Sequence, residues 1–414
     1  MEIETKRPSL VKPLFTQSTS WLAGVAGLLL KSSSSPGRAL IYTASRRCGY
    51  CQCNEVLSEG NVTIGKMVTT GSAKKSWLVF VAVALLSCAS ASARPLTCDE
   101  ACLKGFMDGY LEALAAHNSS TLPLAEHYRY TENGAELELG KEGLWVTFNS
   151  YGPYRHDVFD PSTGGVATYV NLLENHEIPF PDLLMVRLKV ANRKIIEIET
   201  VVDRHAQSAE NLPPKDPDWM EIMNREEPPA MRLGRAELQK GALGYLRSVA
   251  FRDSHLAPYA ESCIRLENGN VTAIGPSDTP PVPIGRQPTE VANEAPRPNM
   301  LGIGCGKQLD YGEYSFITGY EDAHFPIIDE KRQLVFAAFD FMRRGNVESW
   351  TYQGHRFDMP EPMREPNEIL NTEIFKFVDG KISRVEAIFE GPQAYKRGTG
   401  WPGGTKAESR PIGH

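Results

Sequence analysis

The chain has 414 residues, 41% of them hydrophobic, and a formal net charge of −7. That length is about two to three times the usual domain, so more than one core is expected. The acidic balance and the absence of any long basic run exclude nucleic acid and anionic membrane surfaces as partners, because both need a concentrated basic face.

The first 93 residues read differently from the rest. Residues 1–66 are rich in Ser and Gly, with clustered Cys48, Cys51 and Cys53, and read as a disordered or misassigned leader. Residues 67–93 have the three regions of a signal peptide: a basic pair at Lys74 and Lys75, an apolar stretch from Trp77 to Leu86, and small residues at Ala89, Ala91 and Ala93. The apolar stretch is too short for a stable membrane span. The expectation is translation from Met67, cleavage after Ala93, and a product secreted or held in the lumen of the secretory pathway.

Four cysteines follow residue 93, and an even count in an exported chain favours disulfides over metal. We expect Cys263 with Cys305 and Cys98 with Cys102, although an i,i+4 bridge fits an intact helix poorly. Zinc is the minor alternative, since no Cys-x-x-Cys or His-x-x-x-His accompanies these thiols. Asn118 and Asn270 begin glycosylation sequons, a common triplet and therefore a weak signal.

An internal repeat organises the remainder. At an offset of 135, Leu103 matches Leu238, Gly109-Tyr110-Leu111 matches Gly244-Tyr245-Leu246, and Glu132-Asn133-Gly134 matches Glu267-Asn268-Gly269. At a larger offset Lys189 matches Lys376, Lys194-Ile195 matches Lys381-Ile382, and Glu199 matches Glu386. The offset grows because the second copy carries a Pro-rich insertion at 276–298, read as a surface loop. This gives a first domain at 98–205, a linker at 206–230, a second domain at 231–393 and a tail at 394–414.

Each copy opens on a helix, with Leu103, Phe106, Met107, Tyr110, Leu111 and Leu114 forming one apolar stripe in the first. Each closes on a hairpin: Leu184–Val190 and Ile196–Val202 alternate about a turn, as do Ile374–Val378 and Ile382–Phe389 about Asp379-Gly380. The alternation predicts one buried and one wet face. Further strands are expected at Leu144–Phe148, Gly165–Leu173 and Leu334–Phe341. The fold class is α+β, with a curved antiparallel sheet after each helix.

The string Leu122 to Gly134 with Leu139-Gly140 and Gly143-Leu144-Trp145, and in the second copy Cys263 to Gly269 with Phe325 to Glu330, resembles a repeated domain of exported fungal and bacterial proteins in the NTF2-like, or SnoaL-like, superfamily. The resemblance covers nearly all of 98–400. It implies two NTF2-like cones, each with helices packed inside a bent sheet around a pocket open at one end. Ketosteroid isomerase, scytalone dehydratase and polyketide cyclases are similar cones that work without metal or cofactor, and so none is expected here. Non-catalytic binding domains share the fold, so the fold alone does not decide.

In such a cone a carboxylate or imidazole moves a proton while Tyr, His or protonated Asp stabilises the developing enolate. Candidate catalytic residues are Tyr130, Glu132, Tyr154, His156 and Asp157. Candidate binding residues are Tyr128, Trp145, His324 and His355. The competing reading of Glu132-Asn133-Gly134 is a plain turn. His156 and Asp157 need a loop or bulge to act together, because neighbours on a strand face opposite ways. Trp145 fits a core as well as a pocket wall. Two functions follow: acid–base isomerisation, dehydration or cyclisation of a small apolar metabolite in secondary metabolism, or non-catalytic binding of a ligand or partner. A homodimer is compatible with both. The first copy is expected to keep the working pocket, since Arg265 stands where the first copy has Tyr130, and the second to act as its lid or partner.

Overall fold

In the computed structural model the structure describes residues 98–175, 181–204, 212, 214, 216–275, 300–312, 314–352, 355–394 and 397–411. The leader, the signal segment and the Pro-rich insertion lie outside the described residues, which all belong to one unit, Ser87–His414.

Asp99 caps helix α1 (Glu100–Ala115) by accepting from the Cys102 N–H at 2.9 Å. Cys98 therefore precedes the helix, and its bridge to Cys102 ties the approaching chain to the first turn without crossing the helix, at a Cα separation of 5.2 Å. Strand β1 (Leu124–Glu132) turns through Asn133 and Gly134, at φ 48° and 74°, into β2 (Ala135–Glu136). These positive φ values are why Asn and Gly stand here. The short helix α2 (Leu144–Thr147) precedes β3 (Phe148–Asp160), β4 (Gly165–Glu174), β5 (Pro181–Ala191) and β6 (Lys194–Asp203). The expected strand over Leu144–Phe148 is thus a helical turn, because Gly143 takes φ 60° and the Glu132 carboxylate accepts the freed Leu144 N–H at 2.8 Å.

After α3 (Trp219–Asn224), which lies in the expected linker, the second half repeats the pattern. Helix α4 (Arg235–Phe251) leads to β7 (Tyr259–Glu267), β8 (Asn270–Ala273), α5 (Cys305–Tyr311), β9 (Gly319–Asp329) and β10 (Leu334–Arg343). A small hairpin, β11 (Ser349–Tyr352) and β12 (His355–Asp358), comes before β13 (Asn367–Val378) and β14 (Lys381–Gln393), and β15 (Glu408–Ser409) ends the described chain. The Cys263–Cys305 bridge joins β7 to α5.

The two sheets are separate and share one strand order. The first runs β2-β1-β6-β5-β4-β3, and the second runs β8-β7-β14-β13-β10-β9 with β15 added at its edge. Both are mixed, not antiparallel as expected, because β1 pairs parallel with β6 and β7 pairs parallel with β14. In each, the Asn of the Glu-Asn-Gly turn stitches the turn to the last strand. Asn133 bonds both ways with Val202, and Asn268 does the same with Phe389.

Each sheet buries its inner face under its own helix. Leu103, Met107, Tyr110 and Leu114 of α1 pack on Val186, Leu188, Ile195 and Ile198, while Leu238, Tyr245 and Leu246 of α4 pack on Val335, Phe339 and Phe375. A third cluster forms where the outer faces meet: Tyr154, Tyr169, Met185 and Val201 against Phe336, Ala338, Ile374 and Ile388. Both faces of β4 and β5 are therefore buried, which corrects the expected wet face, since a second sheet stands where water was anticipated. Alternation of Arg187 and Lys189 with apolar residues looked like solvent exposure, yet Arg187 is 3% exposed.

Candidate functional site

Three polar groups stand out, one inside each sheet and one along the seam between them. In the first interior, Glu132 is saturated: it accepts from the Leu144 N–H, from Tyr130 Oη at 3.1 Å and from Arg204 at 2.7 Å. Arg204 also holds Glu174 at 2.6 Å. Burial pushes the Tyr110 and Tyr130 phenols well above their ordinary range, with neighbouring tyrosine and carboxylate charges adding to the rise. Trp145 packs edge-on to Tyr110 at 5.5 Å and is core, not a pocket wall.

The second interior differs at matched positions. Arg265 replaces Tyr130, and Glu373 replaces Val186. Arg265 is fully buried on β7, paired with Glu267 at 3.2 Å, donating to Thr272 Oγ1 at 3.0 Å and to Gln308 Oε1, and stacked over Tyr314 at 4.7 Å. Tyr314 in turn donates to Glu267 at 3.1 Å. Thr272 completes the Asn270 sequon and is held in this network, whereas Asn118 is exposed and accepts from its own Ser120.

Glu373 projects from β13 on the same face as Phe375 and Phe377. It is 2% exposed, and its Oε2 has no hydrogen-bond partner among the described residues. Burial, and then the charge of Glu267, push its carboxyl well above the ordinary carboxylate range, against a smaller opposing pull from Arg265 and Tyr245. Burial in apolar surroundings beside a second carboxylate favours the protonated form of such a carboxyl, and in that form it can donate a hydrogen bond.

The seam carries two His–Glu contacts at matched places. On one side His156 Nδ1 meets Glu386 Oε2 at 2.7 Å, and Tyr154 Oη donates to Glu386 Oε1 at 2.5 Å. On the other, His324 Nε2 lies 3.8 Å from Glu199 Oε2. Glu199 and Glu386 are repeat partners, and His156 and His324 pair across from Tyr169 of β4 and Ala338 of β10. Each half thus offers a His to the other half's Glu. Burial alone raises the Glu199 carboxyl, but Arg187 at 2.6 Å and His324 outweigh it and hold it down to about 2.

This geometry divides the expected catalytic set. Tyr130 and Glu132 face the first interior, while Tyr154 and His156 face the seam. His156 does not pair with Asp157, which points the other way to Arg155 at 2.8 Å and Thr168 at 2.5 Å, as strand alternation requires. His355 starts β12, and its side chain lies outside the described residues. Tyr128 and His324 do come together, in a cleft of about 690 Å³ at the seam. A second cleft of about 360 Å³ opens between α1 and β3, with Asp108, Tyr151, Tyr154 and Arg155 in its wall.

Glu373, Glu386, Arg129 and Trp401 escaped the sequence reading. For Glu373 the signal was present, since a glutamate two and four residues before Phe375 and Phe377 keeps the buried phase of a strand. Glu386 was visible as the repeat partner of Glu199. Trp401 sits in the supposed tail and gave no pattern.

Residues 231–389 match a family described as "Domain of unknown function (DUF8021)". No curated protein matches the chain. Among solved structures it is similar to IdmH of Streptomyces antibioticus, a proposed polyketide cyclase, at 19% identity and a TM-score of 0.21, over 24% of this chain and 91% of that one. It is also similar to AclR of Streptomyces galilaeus, a proposed hydroxylase, at 13% identity and a TM-score of 0.21, over 26% of this chain and 82% of that one.

Proposed function

We propose that the chain is a cofactor-independent acid–base enzyme of the NTF2-like type, and that the second sheet's interior is its working cone. The observation that carries this is Glu373, a buried carboxyl with one oxygen unpartnered, facing Tyr245 and the Arg265–Glu267 pair. A buried carboxyl that favours its protonated form, set beside a second carboxyl, supplies the acid and base of such sites. Glu267, held by Arg265 and Tyr314, accepts the proton from a carbon beside a carbonyl. Glu373 stays protonated and donates to the enolate oxygen, with Tyr245 as a second donor. The aromatic core around it, with Phe339 and Phe375, suits a small apolar substrate. This reading places the chemistry in the second copy, whereas the sequence favoured the first, because Glu132 there has no free oxygen to offer.

Non-catalytic binding is the second reading, favoured by the open cleft at the seam. Solvent-deuterium exchange at the α-carbons of a panel of aryl ketones and β-diketones, read by NMR, separates the two. Native protein is expected to accelerate exchange on at least one member, with the rate falling about a hundredfold or more in Glu373→Gln. Exchange that is absent from the native protein, or unchanged in Glu373→Gln, defeats the proposal.

A further inference from the structure

We propose that the cleft of about 690 Å³ at the seam is a binding site for a small planar aromatic acid, separate from either interior. Its volume falls in the range of ligand pockets, and the meeting place of two folded halves is where such pockets concentrate.

The cleft exists because the two His–Glu contacts are filled differently. On the closed side Tyr154, two residues before His156, lays its ring into the seam and donates to Glu386. On the open side the residue two before His324 is Asp322, which leaves the strand path at φ 55° and supplies no ring. The C-terminal segment enters instead. Trp401 takes Arg129 and Arg187 over its ring at 4.7 and 4.8 Å and donates from Nε1 to Thr131 Oγ1 at 3.0 Å, leaving space beside it walled by Tyr128, Ile196, Pro326 and Pro402.

The polar groups left in that space fit an acid. Arg187 is held by two carboxylates, Glu197 at 2.7 Å and Glu199 at 2.6 Å, so it offers no free cation, and Glu197 on the cleft wall confines a ligand's carboxylate to the Arg129 end. Arg129 is different: among the described residues it stacks on Trp401 and reaches a carboxylate only at 3.5 Å, that of exposed Glu136, which leaves its guanidinium available to the cleft it lines. His127 is exposed beside it. His324 donates from Nδ1 to the Asp322 carbonyl at 3.0 Å and turns its Nε2 toward Glu199, 3.8 Å away, so its ring forms part of the cleft wall. Tyr128, 39% exposed in mid-strand, offers an aromatic edge to a flat ring. A planar guanidinium held in place by stacking recognises a carboxylate through paired donors, while the apolar walls take the ring.

The test is calorimetric titration of the full chain with 1-hydroxy-2-naphthoate and with uncharged 2-naphthamide. The acid is expected to bind one to one, with affinity lower by about tenfold or more in Arg129→Gln and in Tyr128→Ala, and with the amide at least about tenfold weaker than the acid. Tyr128 is exposed, so its variant remains informative if loss of the Arg129 stack disturbs folding. Glu373→Gln is expected to leave the affinity unchanged. Failure of the acid to bind, equal binding by both cleft variants, or loss of binding in Glu373→Gln overturns the assignment, the last because it moves the ligand into the interior.

Discussion

Glu386→Ala is expected to lower the unfolding free energy by about 2–5 kcal/mol, the cost of leaving two buried hydrogen-bonding groups without their partner. The Glu386 side chain accepts from Tyr154 at 2.5 Å and meets His156 at 2.7 Å, and all three are buried where the sheets meet. Deleting the carboxylate strands a phenol and an imidazole in a seam formed by Tyr169, Phe336 and Ile388. Tyr154→Phe removes only one of the two bonds and is expected to cost about 1–2 kcal/mol. Urea denaturation monitored by fluorescence reads both. A loss below about 1 kcal/mol for Glu386→Ala removes this contact as a clamp between the halves.

Asp340→Asn is expected to act in the opposite direction and stabilise the protein at neutral pH. Asp340 lies on β10, fully buried, and neither carboxyl oxygen has a hydrogen-bond partner among the described residues. Burial first, and then the charges of Glu368, Glu321 and Asp322, raise its pKa from the ordinary 3.8 to about 8, with Arg397 opposing weakly. The native state therefore holds a proton that the unfolded chain gives up above pH 4. Linkage makes stability fall as pH rises from about 4 to about 8 and then level off, with a slope of about 1.4 kcal/mol per pH unit where the difference is a full proton. Asn keeps the shape without the charge, so the variant should gain about 2–4 kcal/mol at pH 8 and little at pH 4. Glu373, also raised, contributes a slope of the same sign, so Asp340→Asn flattens the profile without abolishing it. Melting temperatures across that pH range test this, and a variant no more stable than native at pH 8 contradicts it.

Much of the arrangement was legible because it is local or repeated. The stripe from Leu103 to Leu114 has helical spacing, the hairpin turns need positive φ at Asn133, Gly134, Asp379 and Gly380, and the repeat aligned Glu199 with Glu386. The mixed sheet was not legible, since nothing in β1 alone says it will run parallel to β6, some seventy residues later. Nor was burial of both faces of β5, because Arg187 looks like a solvent residue until a second sheet and Trp401 cover it. The candidate site suffered for the same reason. Local clustering of Tyr154, His156 and Asp157 suggested one site, but strand alternation sends His156 and Asp157 to opposite faces, and the partner of His156 lies in the other half. Glu373 acquires its character from Glu267, Arg265 and Tyr245, brought together only by packing of β13, β7 and α4.

The protonation of Glu373 bears most directly on the proposed chemistry. Infrared difference spectroscopy of native protein against Glu373→Gln at pH 7 is predicted to show a protonated carboxylic-acid carbonyl band that disappears in the variant. Loss of an ionised carboxylate band instead would contradict the account, because a charged Glu373 has no proton to give an enolate.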